Sequence, residues 1–182
     1  MAGEMRALTV KQLWAGCIAH LDKRVENRPK RFPPALLGQP IAIHAGLSVD
    51  KSIEWPGTAE QHASLFASPA EWDAWRYWIL GRKPRDETNW PAKLPLGAVV
   101  AVATITGSHW HEPRQAECGD GSYAYGVICS RWARPFCWHW QLADVRPLPE
   151  PVPCKGDLGL WRLPEDVEKA VRAQLSEDGN HA

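Results

Sequence analysis

Lys23, Glu26, Asn27 and Arg28 put an ammonium, a carboxylate, an amide and a guanidinium within one short stretch. In an extended segment side chains two apart share a face, so Glu26 and Arg28 point the same way and Lys23 reaches them from the preceding turn. A carboxylate between two cations either neutralises itself as an ion pair or clamps a polar ligand through its remaining hydrogen-bonding groups. The turn is expected to be exposed, where an ion pair contributes only about 0–1 kcal/mol, so loss of either charge should harm recognition more than folding. The same groups also suit hydrolysis, with Glu26 as general base on water and Lys23 stabilising developing negative charge.

The thiols and imidazoles are less decisive. Cys17, Cys118, Cys129, Cys137 and Cys154 are odd in number and contain no C-x-x-C pair, which argues against a disulfide framework or a zinc ribbon and for reduced thiols. His109 and His111 share a strand face, with Glu112 or Cys118 nearby, yet this spacing identifies no third and fourth ligand. No metal and no cofactor is therefore assigned. Of the eleven tryptophans, Trp72, Trp75 and Trp78 recur at helical spacing and read as packing, whereas Trp14, Trp132, Trp138, Trp140 and Trp161 have polar or turn-like flanks that suit stacking on a flat ligand.

With 182 residues, 45% hydrophobic content and a formal net charge of zero, the chain fits a single domain over 1–182 with a real core. That excludes a wholly disordered chain and a uniformly basic polyanion binder. Any attraction for nucleic acid must be local. Arg6, Lys11, Lys23, Arg24, Arg28, Lys30 and Arg31 face only Glu4, Asp22 and Glu26 in the first forty residues, while the C-terminal segment is acidic. There is no apolar run of membrane-spanning length and no signal-peptide pattern, so a cytoplasmic location without membrane contact is expected.

Patterning predicts strands at Met5–Val10, Arg24–Arg28, Pro40–Ala45, Leu96–Gly107, Phe136–Val145 and Gly159–Leu163. Helices are predicted at Gln12–Leu21, within a Trp-rich insertion at about 47–95, where Ser68 caps a helix ending at Gly81, and at the C-terminus from about 164 to 175. Residues 108–124 read as a polar loop. Several non-local strands with few helices point to an α+β small barrel decorated by helices.

Thr9-Val-Lys-Gln-Leu-Trp-Ala15, Asp22-Lys-Arg-Val-Glu-Asn-Arg28, Ile41-Ala-Ile-His-Ala-Gly46, the strand from Leu96, and the run from Trp138 to Gly156 followed by Leu158-Gly-Leu-Trp161 together resemble an ASCH domain. The likeness runs from about Met5 to Leu163 and rests on the order of the motifs. Leu13 and Asp22 depart from the proline and glycine common at those positions, which alters backbone freedom more than chemistry. The resemblance implies a PUA-like pseudo-barrel with flanking helices and a helical insertion. It also implies a module that binds nucleic acid, RNA or single-stranded DNA, or holds a flipped or modified base at the barrel mouth.

On that reading Trp14 or Trp132 supplies a flat wall and Gln12, Glu26, Asn27 and Ser130 read edges. Lys23, Arg28, Lys30, Arg31, Arg131 and Arg134 meet the backbone. Plain structural roles compete: Gln12 as a helix cap, Ser130 in a turn, Trp14 in the core. Some ASCH-like proteins resemble amidohydrolases on acylated nucleosides, and others ribonucleases. Lys23 fits their lysine position as a catalytic candidate with Glu26, but Glu26 stands where the amidohydrolase-like members have a threonine nucleophile. A third alternative is a protein-binding adaptor using the Trp-rich segment. The sequence leaves the choice between enzyme and binder open, and with it the oligomeric state.

Overall fold

The computed structural model describes residues 4–12, 14–20, 22–49, 95–111, 115–117, 123–125, 129–130 and 132–178. The helix expected to end at Gly81, with most of the Trp-rich segment, lies outside these residues, as do Glu112, Cys118 and Arg131.

Along the chain come β1 (Arg6–Gln12), α1 (Trp14–His20), β2 (Val25–Arg28), a 3-10 turn (Pro34–Leu36), β3 (Pro40–Val49) and β4 (Ala98–His111). They are followed by β5 (Gln115–Glu117), β6 (Tyr123–Tyr125), β7 (Cys137–Pro153), β8 (Leu160–Arg162) and α2 (Glu165–Asp178). The segment expected as a polar loop over 108–124 instead continues β4 to His111 and contributes β5 and most of β6, which pair antiparallel. His109 and Trp110 have partners directly opposite on β7, and this cross-strand support overrides the polar character of the stretch.

The other six strands form a mixed sheet in the order β2-β7-β4-β3-β1-β8, with β1 and β3 parallel and the remaining pairs antiparallel. Both faces of its middle are buried, which is why β4 reads as a continuous apolar run. On one face Leu8, Val10, Ile43, Val100, Ala103 and Ile105 pack with Ala15 and Ile18 of α1. The opposite face carries Ala7, Ala42, Val99 and Val102, and small Ala7 and Ala42 leave room for Val167 and Val171 of α2. The Glu168 side chain fastens that helix, accepting a 3.0 Å bond from the Met5 amide and pairing with Arg172.

The sheet curls. Three register shifts interrupt the β4–β7 ladder, and at one of them, between Val102 and Thr104, Asp144 takes up the extra residue with φ 48°. Curling is also required by one contact. In a flat sheet β2 and β1, four strand spacings apart, would stand about 19 Å from each other, yet Arg28 Nη2 on β2 donates to Thr9 O on β1 at 2.8 Å. The strands therefore wrap into the expected α+β pseudo-barrel, with the gap between β2 and β1 crossed by an arginine side chain rather than a ladder.

Candidate functional site

That gap is a cavity of about 580 Å³, in the size range of small-molecule sites, lined by Thr9, Lys11, Trp14, Lys23, Glu26, Asn27, Arg28, Ser48, Arg134 and Asp157 among others. Its floor is an ion triad. Lys23 Nζ donates to Glu26 Oε2 at 3.0 Å and to the carbonyl of Val25, and Arg28 Nε stands 3.0 Å from Glu26 Oε1. Exposure is 1% for Lys23 and 7% for Glu26, which corrects the expectation of an exposed turn. The apolar helix α1, five of its seven residues buried, drops the chain into β2 from inside the barrel, so the charges begin below the rim. Arg28 is less complete than its partners: its buried Nε sits against Glu26 without a properly aligned hydrogen bond.

Trp14, half-buried at the start of α1, forms the side wall, with Lys23 Nζ and Arg134 Cζ each 5.9 Å from its ring centroid. Arg134 itself is exposed at the rim. The loop that carries it is tied to β2 by Asn27, whose Nδ2 donates to Trp132 O at 2.8 Å and whose Oδ1 accepts from Arg134 N at 3.0 Å. Thr9 anchors the far side through a proton chain. Trp161 Nε1 donates to Thr9 Oγ1 at 3.0 Å, and Thr9 meets His44 Nδ1 at 3.3 Å. His44 Nε2 lies 3.1 Å from Cys154 O. A carbonyl only accepts, so Nε2 carries the proton and bare Nδ1 accepts from the hydroxyl. Burial holds His44 below the usual histidine range, against the pull of the Cys154 carbonyl. Gly156 permits this contact, since a Cβ there would lie 2.3 Å from the His44 ring.

The cavity brings together Trp14, Lys23, Glu26, Asn27 and Arg28 from the sequence-derived set. Others stand elsewhere. Gln12 is fully buried, its Oε1 accepting from the Gly16 amide as a helix cap and its Nε2 donating to Pro95 O. Trp132 is buried with Nε1 donating to Asp22 at 3.1 Å, and Ser130 Oγ accepts from the Trp132 amide. Gln12, Ser130 and Trp132 are thus structural in their hydrogen bonding and are not among the lining residues. Lys30 and Arg31 are exposed beyond β2, with Arg31 5.9 Å over the Trp138 ring. Lys11 is a wall residue that the sequence-derived set omits, and Arg134, named there only for backbone contact, also faces Trp14. Period-two counting from Thr9 would have found Lys11; nothing local in the sequence points to Arg134 at the Trp14 ring.

No protein-family model and no curated protein matches the chain. Solved structures similar to it include an ASCH protein from Zymomonas mobilis, at 12% identity and a TM-score of 0.45 over 93% of this chain and 94% of that one. A tyrosine-to-phenylalanine mutant of that protein gives the same identity and TM-score over 94% and 98% of the two chains. At that level the likeness says nothing about the chemistry of the cavity.

Proposed function

We propose that the cavity receives a base and its adjoining phosphate from single-stranded or locally opened nucleic acid. The observation that carries this is Trp14 beside Arg134 in an open cavity, an aromatic wall next to an exposed rim cation that takes no part in the buried triad. Trp14 offers a face for stacking, Glu26 offers a hydrogen-bonding edge, and Lys11, Arg28 and Arg134 offer positive charge to phosphate. Outside the cavity, Arg31, Trp138 and exposed Trp110 follow one another on the same sheet face, a path for the strand beyond the bound base.

Hydrolysis fits less well. Lys23 and Glu26 touch at 3.0 Å, which leaves no place between them for a water to be activated, and no threonine stands at position 26.

Fluorescence anisotropy with short single-stranded RNA and DNA tests the reading. Binding is expected to weaken with salt, with a slope of about −2 for roughly three neutralised phosphates. Trp14→Ala should reduce affinity about tenfold, given about 1–3 kcal/mol per stacked base. Salt-independent binding, or full affinity in Trp14→Ala, contradicts it.

A further inference from the structure

On the sheet face opposite the charged triad, the register sets His109 of β4 directly across from His139 of β7, and Cys129 reaches the same spot from the loop before β7. His139 Nδ1 lies 3.1 Å from Cys129 Sγ and 3.3 Å from His109 Nε2, and all three atoms fall within 4.8 Å of one another. His139 is fully buried, and its Nε2 lies 2.7 Å from Arg134 O. Because that carbonyl only accepts, Nε2 holds the proton and Nδ1 presents a lone pair to the thiol and the second imidazole.

We infer that His109 Nε2, His139 Nδ1 and Cys129 Sγ form a three-ligand site for a zinc-class divalent cation. Two nitrogens bound to one tetrahedral zinc at about 2.0–2.1 Å stand about 3.3 Å apart, which is the separation found between His109 and His139. One imidazole nitrogen bonded to a backbone carbonyl while the other faces the metal is the usual support for such a ligand. The fold supplies it at Arg134 O. His111 stacks on His139 with ring centroids 5.2 Å apart and has a buried Nε2 without a partner, which adds a further lone pair or N–H beside the site. Cys129 is exposed, so the metal enters from solvent and the fourth position is left to water. Binding replaces the Cys129 thiol proton, which leaves to solvent as the sulfur–metal bond forms. The metal would join Cys129 to β4 and β7, beside the Arg134 carbonyl that holds His139.

The test is a cobalt(II) titration of chelator-treated full-length protein, followed by zinc competition. One equivalent should bind with visible d–d bands and a near-ultraviolet sulfur-to-cobalt band, and zinc should bleach both. Cys129→Ser should remove the sulfur band, His109→Gln should weaken binding at least tenfold, and Cys137→Ser should leave the spectrum in place. Absence of stoichiometric binding, or wild-type affinity and spectrum in both Cys129→Ser and His109→Gln, overturns the site. Neither substituted residue is fully buried, so both variants should fold, and circular dichroism of the metal-free proteins verifies it.

Discussion

The face of β2, β7 and the end of β4 that turns to the cavity carries Glu26, Arg28, Trp138 and Trp140, whereas the opposite face of the same strands carries Asn27, His139, His109 and His111. On the first, charges of opposite sign meet and largely satisfy one another. On the second, imidazole nitrogens and a thiol crowd together within hydrogen-bonding distance. Alternation along a strand produces both, yet they answer different needs. The ion triad is nearly complete within itself, so a ligand in the cavity meets the aromatic wall and the rim cations around it; the imidazole face is where the proposed divalent cation binds.

The largest expected difference is in stability. Glu26→Gln strips the carboxylate from buried Lys23 and Arg28, and removing one partner of a buried pair costs about 3–5 kcal/mol, whereas His109→Gln in metal-free protein should cost under about 1 kcal/mol. Urea titration of the two variants compares them; equal losses would erase the contrast. Adding Lys23→Met to Glu26→Gln should recover part of the loss.

A ligand should reverse the ranking. Zinc at a hundred times its dissociation constant should stabilise wild-type protein by about 2.7 kcal/mol, read as a higher melting temperature that Cys129→Ser lacks.

Asn27 belongs to both regions, since it lies opposite His139 while also lining the cavity and holding the Arg134 loop. Asn27→Ala should cost about 1–3 kcal/mol by leaving buried groups unpaired. It should weaken both metal and oligonucleotide binding. An effect confined to one ligand would show that the faces are independent.

The smallest effect is a pH dependence at His44. Its folded value lies below the ordinary 6.5, so the unfolded chain binds the proton more readily. The contribution is present above about 6.5 and is lost as pH falls from there through the folded value. His44→Gln should flatten that part of the stability profile, measured by chemical denaturation between pH 7.5 and about 5.

These contrasts also show what the sequence could carry. Period-two patterning located the large-sheet strands to within a few residues at most of their ends, apart from the long extensions of β3 and β7, and it put Glu26 and Arg28 on one face, because both are properties of a strand itself. Depth was not legible. Lys23 looks exposed in a charged turn, and only the docking of α1 inside the barrel buries it. Nor was pairing across distance: His109 was visible as a ligand type, but its neighbours His139 and Cys129 come from β7 and a loop that sequence spacing cannot bring together. Gln12 shows the reverse, a polar residue suited to recognition whose bonds are taken up by α1 and Pro95.

The cavity reading stands most directly on Arg134, which is exposed, faces Trp14 and takes no part in the buried triad. Calorimetric titration of a short single-stranded RNA into wild-type and Arg134→Ala protein, with melting curves of both, isolates it. The expected result is saturable one-to-one binding that weakens at least tenfold in Arg134→Ala at an unchanged melting temperature; equal affinity in the two proteins, or no binding by either, would contradict nucleic-acid recognition at this cavity.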